Sequence, residues 1–372
     1  MNNAFNIGKV FGISLRLHYS WFFIFILVTT SLAFGGLYPP GLPLWQGMVG
    51  GVITSLLFFA SVVAHEITHS LVARRYGIPV HSITLFIFGG VAKITKEADR
   101  PGAEAVMAAA GPFSSFVIAG IFGALWLAVH QSGIEVATSS IYWLAYINLS
   151  LGAFNLIPGF PLDGGRVLRA ILWKSGGDYR KATRMASLTG RGVGYLFILG
   201  GLGSAFLLQS WFQGIWLTFI GWFLENAASS SYRQVALRDT LLTIKAANVM
   251  TTDCMAVLSS MPLMQIVREH ILPAGRRCFL VTTDSRLEGI ITLSNIRAIP
   301  RTRWETTTAR DAMTPADRFK TVKPDDDAYS VLSRMEENDL DYIPVADGEQ
   351  VLGLISRESL LHHMRTRAEL GI

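Results

Sequence analysis

Two histidines and a glutamate occur together inside an apolar stretch, in the order Val63-Ala64-His65-Glu66-Ile67-Thr68-His69-Ser70. On a helix, residues four apart lie on one face, so the imidazoles of His65 and His69 can reach one cation. Glu66 would lie beside that cation, placed to take a proton from a water that the cation activates. A glutamate in an apolar span normally marks function. We therefore predict a metal site with Glu66 as general base.

A third ligand is needed, because a catalytic zinc site usually has three protein ligands and one open position. The acids at membrane depth are few: Glu66, Asp163 and Glu225. Pro158 and Pro161 break the helical pattern just before Asp163, and a carboxylate on such an unwound segment is suited to bind a metal. The alternative for Asp163 is the N-cap of the helix that starts at Arg166, a role that is compatible with metal binding. Glu225 could instead snorkel or pair with Arg233.

The charge of the chain is concentrated in its second half. Charged residues make up 16% of the 372 residues, against about 25% in soluble domains. The first half contains six apolar stretches of about 20 residues, the length of a spanning helix: 18–37, 46–64, 105–129, 139–157, 187–208 and 211–231. We predict a polytopic α-helical membrane domain of about six transmembrane helices in residues 1–240. This excludes a single soluble domain and a disordered chain, and the basic pI does not indicate nucleic-acid binding.

The basic residues of the first half indicate its orientation. The loops 38–45, 130–138 and 209–210 contain no Lys or Arg, whereas the alternate loops do. Because positive loops stay in the cytosol, we predict a multi-pass protein of the cell membrane with cytosolic N- and C-termini. The metal would then lie nearer the cytosolic face. The two cysteines, Cys254 and Cys278, lie in the charged half and fit a reducing compartment.

Residues 77–95 interrupt the helical pattern. They are rich in β-branched and aromatic residues and contain Gly89-Gly90, which predicts a β-hairpin. Strands at membrane depth are tolerated only where they line protein or a wet cavity. We predict a membrane-associated hairpin; a plain hairpin on the cytosolic surface is the alternative.

The second half contains an internal repeat. Val249-Met250-Thr251 recurs as Ala312-Met313-Thr314, and Leu287-Glu288-Gly289-Ile290-Ile291-Thr292 recurs as Val351-Leu352-Gly353-Leu354-Ile355-Ser356. Each copy predicts a helix, 262–272 or 327–338, followed by two strands and a closing helix. Such a unit buries its apolar strands best against its twin. We therefore predict two paired α/β units.

The motifs of the first half resemble the site-2 protease family of intramembrane zinc metalloproteases. The resemblance is carried by His65-Glu66-x-x-His69 and by Asn155-x-x-Pro158-x-x-x-Leu162-Asp163-Gly164. It implies one Zn²⁺ per chain, held by His65, His69 and Asp163, with Glu66 as general base. It also implies that Asn155 stabilises the oxyanion of the tetrahedral intermediate, a role suited to an amide donor in a dry site. The alternative is that Asn155 only satisfies carbonyls of the broken helix.

The same resemblance implies that the hairpin holds an unwound substrate segment as an added strand. One departure concerns the segment Gly111-Pro112-Phe113-Ser114-Ser115. Family members often carry Asn at the last of these positions, and Ser115 keeps a small polar group but lacks the amide.

The repeated half resembles a cytosolic pair of CBS domains, over 246–303 and 310–369. In that family a Thr or Ser and an Asp three residues later often hold a nucleotide ribose. The corresponding residues are Thr292 with Asn295 and Ser356 with Ser359, so the acid is missing from both copies. The resemblance implies adenine-nucleotide binding (ATP, ADP or AMP) and a homodimer formed through the CBS domains. A dimerisation module without ligand is the alternative.

Together these features predict an intramembrane metalloprotease that cleaves transmembrane segments of membrane proteins under nucleotide control. The rival hypothesis is a CBS-regulated transporter or channel. It accounts for the repeated half, but it does not account for two histidines, a glutamate and an aspartate in metalloprotease spacing.

Overall fold

The computed structural model describes residues 4–87, 89–94, 98–131, 133–252, 255–274, 276, 278–284, 286–316, 321–338, 340–348 and 350–370. Phe88 and Thr95 of the predicted hairpin, and Cys254, lie outside these residues. The chain divides into two compact units, residues 1–235 and 236–372. Each unit is described by itself.

The first unit is mainly helical. Its helices are α1 (Ser20–Phe34), α2 (Leu44–Arg75), α3 (Pro101–Val129), α4 (Glu135–Asn155), α5 (Asp163–Gly176), α6 (Tyr179–Leu207) and α7 (Trp211–Thr243), the last of which continues into the second unit. Most residues of each predicted span lie in one of these helices, with α5 intervening between the fourth and fifth. Among the described residues, α2, α3 and α6 are long and apolar enough to cross a bilayer, and α1 is a shorter apolar helix. The helical membrane part is therefore confirmed, whereas the number of six spans is not.

Small residues bring α6 and α7 close together. A side chain on Gly194 would lie 2.8 Å from the carbonyl oxygen of Gly221 and 3.0 Å from the amide nitrogen of Glu225. Close backbone approach at glycine is the usual way in which membrane helices pack. The two helices therefore meet tightly at this level.

A four-stranded sheet accompanies the helices of the first unit, in the order β1-β2-β3-β4. Its strands are β1 (Ala4–Val10), β2 (Ile13–His18), β3 (Val80–Phe86) and β4 (Gly89–Ile94). The predicted hairpin corresponds to β3 and β4, which pair antiparallel. The sequence interpretation missed β1 and β2 in the N-terminal segment, because β2 pairs in parallel with β3 across more than 60 residues of chain and no local pattern signals such a pairing.

Hydrogen bonds from one side chain connect the sheet to the end of α2. Arg74 donates to the carbonyl oxygens of Phe11 (2.5 Å), Gly12 (3.1 Å) and Val80 (3.1 Å). These carbonyls belong to the β1–β2 turn and to the first residue of β3. The guanidinium therefore joins both halves of the sheet to the helix that carries the two histidines.

The second unit combines a four-stranded sheet, in the order β5-β6-β7-β8, with a two-stranded hairpin. The strands are β5 (Ala256–Leu258), β6 (Cys278–Thr283), β7 (Arg286–Thr292), β8 (Thr314–Pro315), β9 (Tyr342–Asp347) and β10 (Gln350–Ser356). The helices are α8 (Ala246–Val249), α9 (Leu263–Ile266), a π-helical turn (Val267–Ile271), α10 (Leu272–Ala274), α11 (Leu293–Arg297), a 3₁₀ turn (Arg301–Arg303), α12 (Ala309–Ala312), α13 (Ala328–Glu337) and α14 (Arg357–Leu370).

The start of each repeat of this unit pairs with a strand of the other repeat. β8, at the start of the second repeat, is antiparallel to β7 of the first, with Thr314 opposite Ile290. Thr251, at the start of the first repeat, forms a bridge with Leu354 of the second. Leu280, Ile290 and Leu354 form one buried apolar cluster. Each repeat thus buries apolar strand residues against its twin, as the repeated sequence predicts.

Candidate metal centre and nucleotide cavity

Helix α2 carries the two histidines next to each other. His65 and His69 are 4% and 8% exposed, and their Nε2 atoms are 3.2 Å apart. The four-residue spacing places both rings on one face of the helix. The structure therefore brings together the pair that the sequence selected.

Asp163 completes a group of three at this point. Its Oδ2 lies 3.2 Å from Nε2 of His65 and 3.1 Å from Nε2 of His69. Asp163 is the first residue of α5, and the N-cap position belongs to Leu162. The N-cap alternative for Asp163 is therefore wrong: the backbone enters the helix one residue earlier, which leaves the carboxylate directed at the histidines.

The hydrogen bonds of the two rings fit a metal site. Nδ1 of His69 lies 2.6 Å from the carbonyl oxygen of Met107, which can only accept, so this nitrogen carries the proton. Nδ1 of His65 lies 2.9 Å from Oγ of Ser115. The hydroxyl of Ser115 can accept a proton from Nδ1 of His65. In the tautomer in which both Nδ1 atoms donate, the Nε2 atoms are acceptors, which is the usual arrangement of histidines that bind a metal.

Three acceptor atoms then converge without a proton between them. Two imidazole nitrogens and a carboxylate oxygen at this distance repel unless a cation lies among them. Ligand atoms around one tetrahedral zinc ion are roughly 3.3 Å apart, which matches the spacing of the three atoms. His65, His69 and Asp163 thus fit Zn²⁺, and they form the group of potential metal ligands found among the described residues.

Helix α3 supplies the remaining walls of the centre. It contributes Ser115 and the Met107 carbonyl oxygen, and a side chain on Gly111 would overlap Nε2 of both histidines. The sequence analysis quoted Gly111 and Ser115 only as part of a family motif and missed their contacts. The signal was the Gly-Pro-x-x-Ser spacing, since Gly111 and Ser115 lie one helical turn apart on the same face.

Glu66 lies under the β3–β4 hairpin. A side chain on Gly90 would come within 2.5 Å of Cγ of Glu66, so only glycine allows β4 to pass at this distance. Among the described residues, β4 is an edge strand of its sheet. The proposed base and an edge strand are therefore neighbours.

Asn155 and Glu225 have contacts elsewhere. Nδ2 of Asn155 donates to the carbonyl oxygen of Leu151 at 3.0 Å within α4, and its second N–H is left for another acceptor. Glu225 accepts from Nε of Arg191 at 3.0 Å. The suggested pairing of Glu225 with Arg233 is thus wrong, because Arg191 faces Glu225 across the contact between α6 and α7.

A buried ion pair joins α3 to α5 next to the metal centre. Nε of Arg169 donates to Oε1 of Glu104 at 2.7 Å, and Nη2 donates to the same oxygen. Glu104 is 1% exposed, and the guanidinium also stacks on the rings of Phe160 and Tyr179. Because α3 carries Ser115 and α5 begins with Asp163, this pair fixes the two helices that complete the centre. Sequence reasoning missed it, since the partners are 65 residues apart.

The second unit contains a cavity of about 880 Å³ between the two repeats. Thr292, Ser356 and Ser359 line it, together with Leu293, Ser294, Arg297, Asp341, Tyr342, Arg357, Glu358, Leu361 and His362. Asn295 is not among the lining residues. Its Oδ1 accepts from the amide and the hydroxyl of Thr292, which closes a capping box at the start of α11.

Asp341 supplies a carboxylate that the sequence analysis missed. It lines the cavity from the segment before β9, whereas the expected acid would follow Thr292 or Ser356 by three residues. Nε of Arg357 is buried in the cavity wall and has no hydrogen-bond partner among the described residues. The cavity therefore offers an acceptor for hydroxyl groups and an unused donor for an anion.

The profile of peptidase family M50 matches residues 53–134 and 127–199, a region that contains His65, His69 and Asp163. A zinc metalloprotease of Methanocaldococcus jannaschii is 31% identical over 370 residues, covering 98% of this chain and 97% of its own length. The chain belongs to peptidase family M50. It is therefore a member of the site-2 protease family and an enzyme of the metalloprotease class.

Two further proteins are similar to this chain. A Synechocystis protein named as a candidate zinc metalloprotease is 34% identical over 373 residues, covering 99% of this chain and 97% of its own length. The solved site-2 protease from Methanocaldococcus jannaschii is 31% identical, covers 62% of this chain and 95% of that chain, and superposes with a TM-score of 0.44.

The profile of the CBS domain matches residues 246–300 and 309–366. The M50 protease is thus a membrane protein with a C-terminal CBS pair, which confirms the two resemblances. Family membership supports the peptidase hypothesis over a transporter or channel.

Proposed function

We propose that this M50 protein is an intramembrane zinc metalloprotease that hydrolyses peptide bonds in transmembrane segments of membrane proteins. The observation that carries the proposal is the convergence of three metal-binding atoms, two from helix α2 beside Glu66 and one from the start of α5. Helix α2 is apolar and long enough to span a bilayer. A transporter or channel has no need of this arrangement.

Each residue of the centre has a distinct task. His65, His69 and Asp163 would hold Zn²⁺, which when bound polarises a carbonyl group and acidifies a water. Glu66 takes a proton from the attacking water and gives it to the leaving amine. The contacts of His65 and His69 with α3 keep both rings oriented. In this mechanism Asn155 uses its second N–H to stabilise the developing oxyanion.

The substrate would enter as an extended segment. A transmembrane helix must unwind before any peptide bond is accessible, and the edge of β4 offers main-chain groups to an added strand. Gly90 places that strand against Glu66. With the N- and C-termini in the cytosol, cleavage near the cytosolic face releases a cytosolic fragment.

The decisive test is Glu66→Gln in the full-length protein, reconstituted in liposomes with a single-span membrane protein as substrate. We expect cleavage to fall by roughly 10²- to 10⁴-fold while zinc, measured by elemental analysis, stays bound. Glu135→Gln is the matched control, because Glu135 is an exposed acid at the start of α4. Persistent cleavage by a zinc-loaded Glu66→Gln protein would show that Glu66 is not the base.

The ligand set is tested by the metal content itself. In Asp163→Ala and His65→Ala, zinc should fall well below one ion per chain, since each change removes one of three ligands. Undiminished zinc in either variant would exclude the altered residue as a ligand.

We also propose that the CBS pair binds an adenine nucleotide that regulates proteolysis. Asp341 would accept hydrogen bonds from the ribose hydroxyls, in place of the acid that is missing after Thr292 and Ser356. Arg357 would donate to the phosphates. Isothermal titration of the full-length protein with ATP, ADP and AMP should show binding that Asp341→Asn weakens by at least about tenfold.

The absence of binding for all three nucleotides would leave a dimerisation module as the better hypothesis. The proposed homodimer is tested separately by light scattering of the detergent-solubilised protein.

A further inference from the structure

A cleft between α6 and α7 is not used by the proposed proteolysis. It has a volume of about 350 Å³ and is lined by Arg184, Ser187, Leu188, Arg191, Glu225, Asn226, Ser229, Tyr232 and Arg233. On α6 the residues at 184, 187 and 191 share one face, and on α7 those at 225, 229 and 233 do so. The close contact of the two helices at Gly194 and Gly221 lies next to these faces in the sequence of each helix.

At the floor of the cleft, the charge of Glu225 is neutralised by that of Arg191. Oε1 of Glu225 accepts from Nε of Arg191 at 3.0 Å and from Oγ of Ser229 at 3.0 Å. This carboxylate is therefore already occupied by two donors. It neutralises Arg191 and leaves the other charges of the cleft uncompensated.

The mouth of the cleft is positive. Arg184 and Arg233 are exposed, and neither forms an ion pair with a described residue. Three arginines face one glutamate, which leaves a net charge of +2. A guanidinium presents a planar fork of donors that suits a phosphate group.

The wall of the cleft contains a buried hydroxyl that has no hydrogen-bond partner among the described residues. Ser187 is 2% exposed and lines the cleft, and its Oγ has no hydrogen bond to any described residue. A buried hydroxyl left unsatisfied is unfavourable by about 1 to 3 kcal/mol. Its position is explained if a ligand oxygen accepts its proton.

The surroundings indicate an amphipathic ligand. Leu188 lines the cleft and is exposed, and Leu196 and Trp222 are exposed on the same two helices nearer the membrane centre. The positive-inside rule predicts that the mouth with Arg184 and Arg233 faces the cytosol. Basic pockets between membrane helices at that level suit the headgroups of anionic lipids.

We propose that this cleft is a binding site for an anionic phospholipid, whose headgroup phosphate is held by Arg184, Arg233 and Ser187 while its acyl chains lie along the apolar surfaces of α6 and α7. The site is separate from the metal centre and does not depend on the proposed proteolysis.

The test compares lipid bound to the purified full-length protein. The protein is equilibrated in detergent micelles containing equal amounts of phosphatidylglycerol and phosphatidylcholine, and bound lipid is identified by native mass spectrometry. The wild type should retain phosphatidylglycerol selectively. In the double variant Arg184→Gln/Arg233→Gln we expect that preference to fall about fivefold for each charge removed.

Two further variants distinguish a specific binding site from general attraction by surface charge. Ser187→Ala removes no charge, yet it should lower the amount of bound phosphatidylglycerol by about tenfold, since it removes a hydrogen bond to the charged phosphate. Arg75→Gln/Lys174→Gln removes two exposed cations outside the cleft, and the preference should change less than twofold. Zinc content reports that each variant remains folded.

Several results would overturn the proposal. An equal loss in the cleft variant and in the Arg75/Lys174 control would show unspecific attraction, as would an unchanged amount of bound phosphatidylglycerol in Ser187→Ala. Displacement of phosphatidylglycerol by an equal concentration of inorganic phosphate would show that the cleft binds a free anion rather than a lipid.

Discussion

The candidate metal centre and the cavity of the CBS pair are built in opposite ways. At the metal centre, His65 and His69 are held by oxygens of another helix, 50 and 38 residues away. In the cavity, the predicted contacts bond to each other: Thr292 with Asn295, and Ser356 with Ser359, three residues apart. One site is thus fixed by tertiary packing and the other by local capping.

Because of this difference, the two motifs depend on different parts of the structure. The histidines require their neighbours on α3 in order to present Nε2 atoms together, so changes on α3 should affect chemistry. The Thr and Ser motifs of the CBS pair stabilise helix starts whether or not a nucleotide is bound. Four predictions test this contrast.

The largest effect is expected at the ion pair between α3 and α5. Glu104→Gln leaves the buried guanidinium of Arg169 without a charged partner, which is unfavourable by about 3 to 5 kcal/mol. Thermal unfolding of the detergent-solubilised protein should show a clear loss of stability. Lys181→Gln breaks a pair with Asp178 that is local and exposed, and it should change little. Equal effects of the two changes would contradict the importance of packing between helices.

Gly111→Ala should act directly on the metal centre. The added methyl group overlaps Nε2 of His65 and His69, and such misplacement of reacting groups lowers activity by about 10²-fold. Gly120→Ala, on the same helix, is the matched control, because a methyl group there meets no neighbouring side chain or other segment within 4 Å. Cleavage assays and zinc analysis measure the effect. Normal zinc content and activity in Gly111→Ala would refute the close approach.

Ser115→Ala should have a smaller effect on the same centre. It removes the acceptor for Nδ1 of His65, and loss of such an orienting contact lowers metal affinity by roughly 10- to 100-fold. Competition with a chelator measures the zinc affinity. Ser114→Ala is the control, since Oγ of Ser114 donates to the carbonyl oxygen of Gly111 within its own helix. If both variants hold zinc equally well, Ser115 does not orient His65.

Asn295→Ala should have the smallest effect. It opens the capping box of α11, which lowers stability by about 1 kcal/mol. Nucleotide affinity should stay unchanged, because Asn295 does not line the cavity. Thermal unfolding and isothermal titration measure the two quantities in one preparation. A loss of affinity with unchanged stability would restore Asn295 as a ligand contact.

The sequence predicted the parts of the fold and site that have a short-range signal. The spacing of His65, Glu66 and His69 follows from one helix, and the repeat in the second half is visible as repeated letters. The repeat predicts strands at 278–283, 287–292, 342–346 and 350–355, and β6, β7, β9 and β10 match these ranges to within one residue at each end.

What the sequence could not predict depends on packing between distant segments. The pairing of β2 with β3, the contact of Ser115 with His65 and the location of Asp341 in the cavity join residues far apart in the chain. No periodicity reports such contacts. They follow from which helices and strands become neighbours, which one sequence without relatives does not specify.

The contacts between the sheet and α2 would determine where a substrate is cut. Arg74 and Glu66 contact the sheet at two levels of α2, eight residues apart, which is about 12 Å along a helix. Two separated contacts prevent the sheet from sliding or turning on the helix. A segment added to β4 would therefore meet Glu66 at one fixed register, and the distance from the first paired residue to the scissile bond would be a property of the enzyme rather than of the substrate.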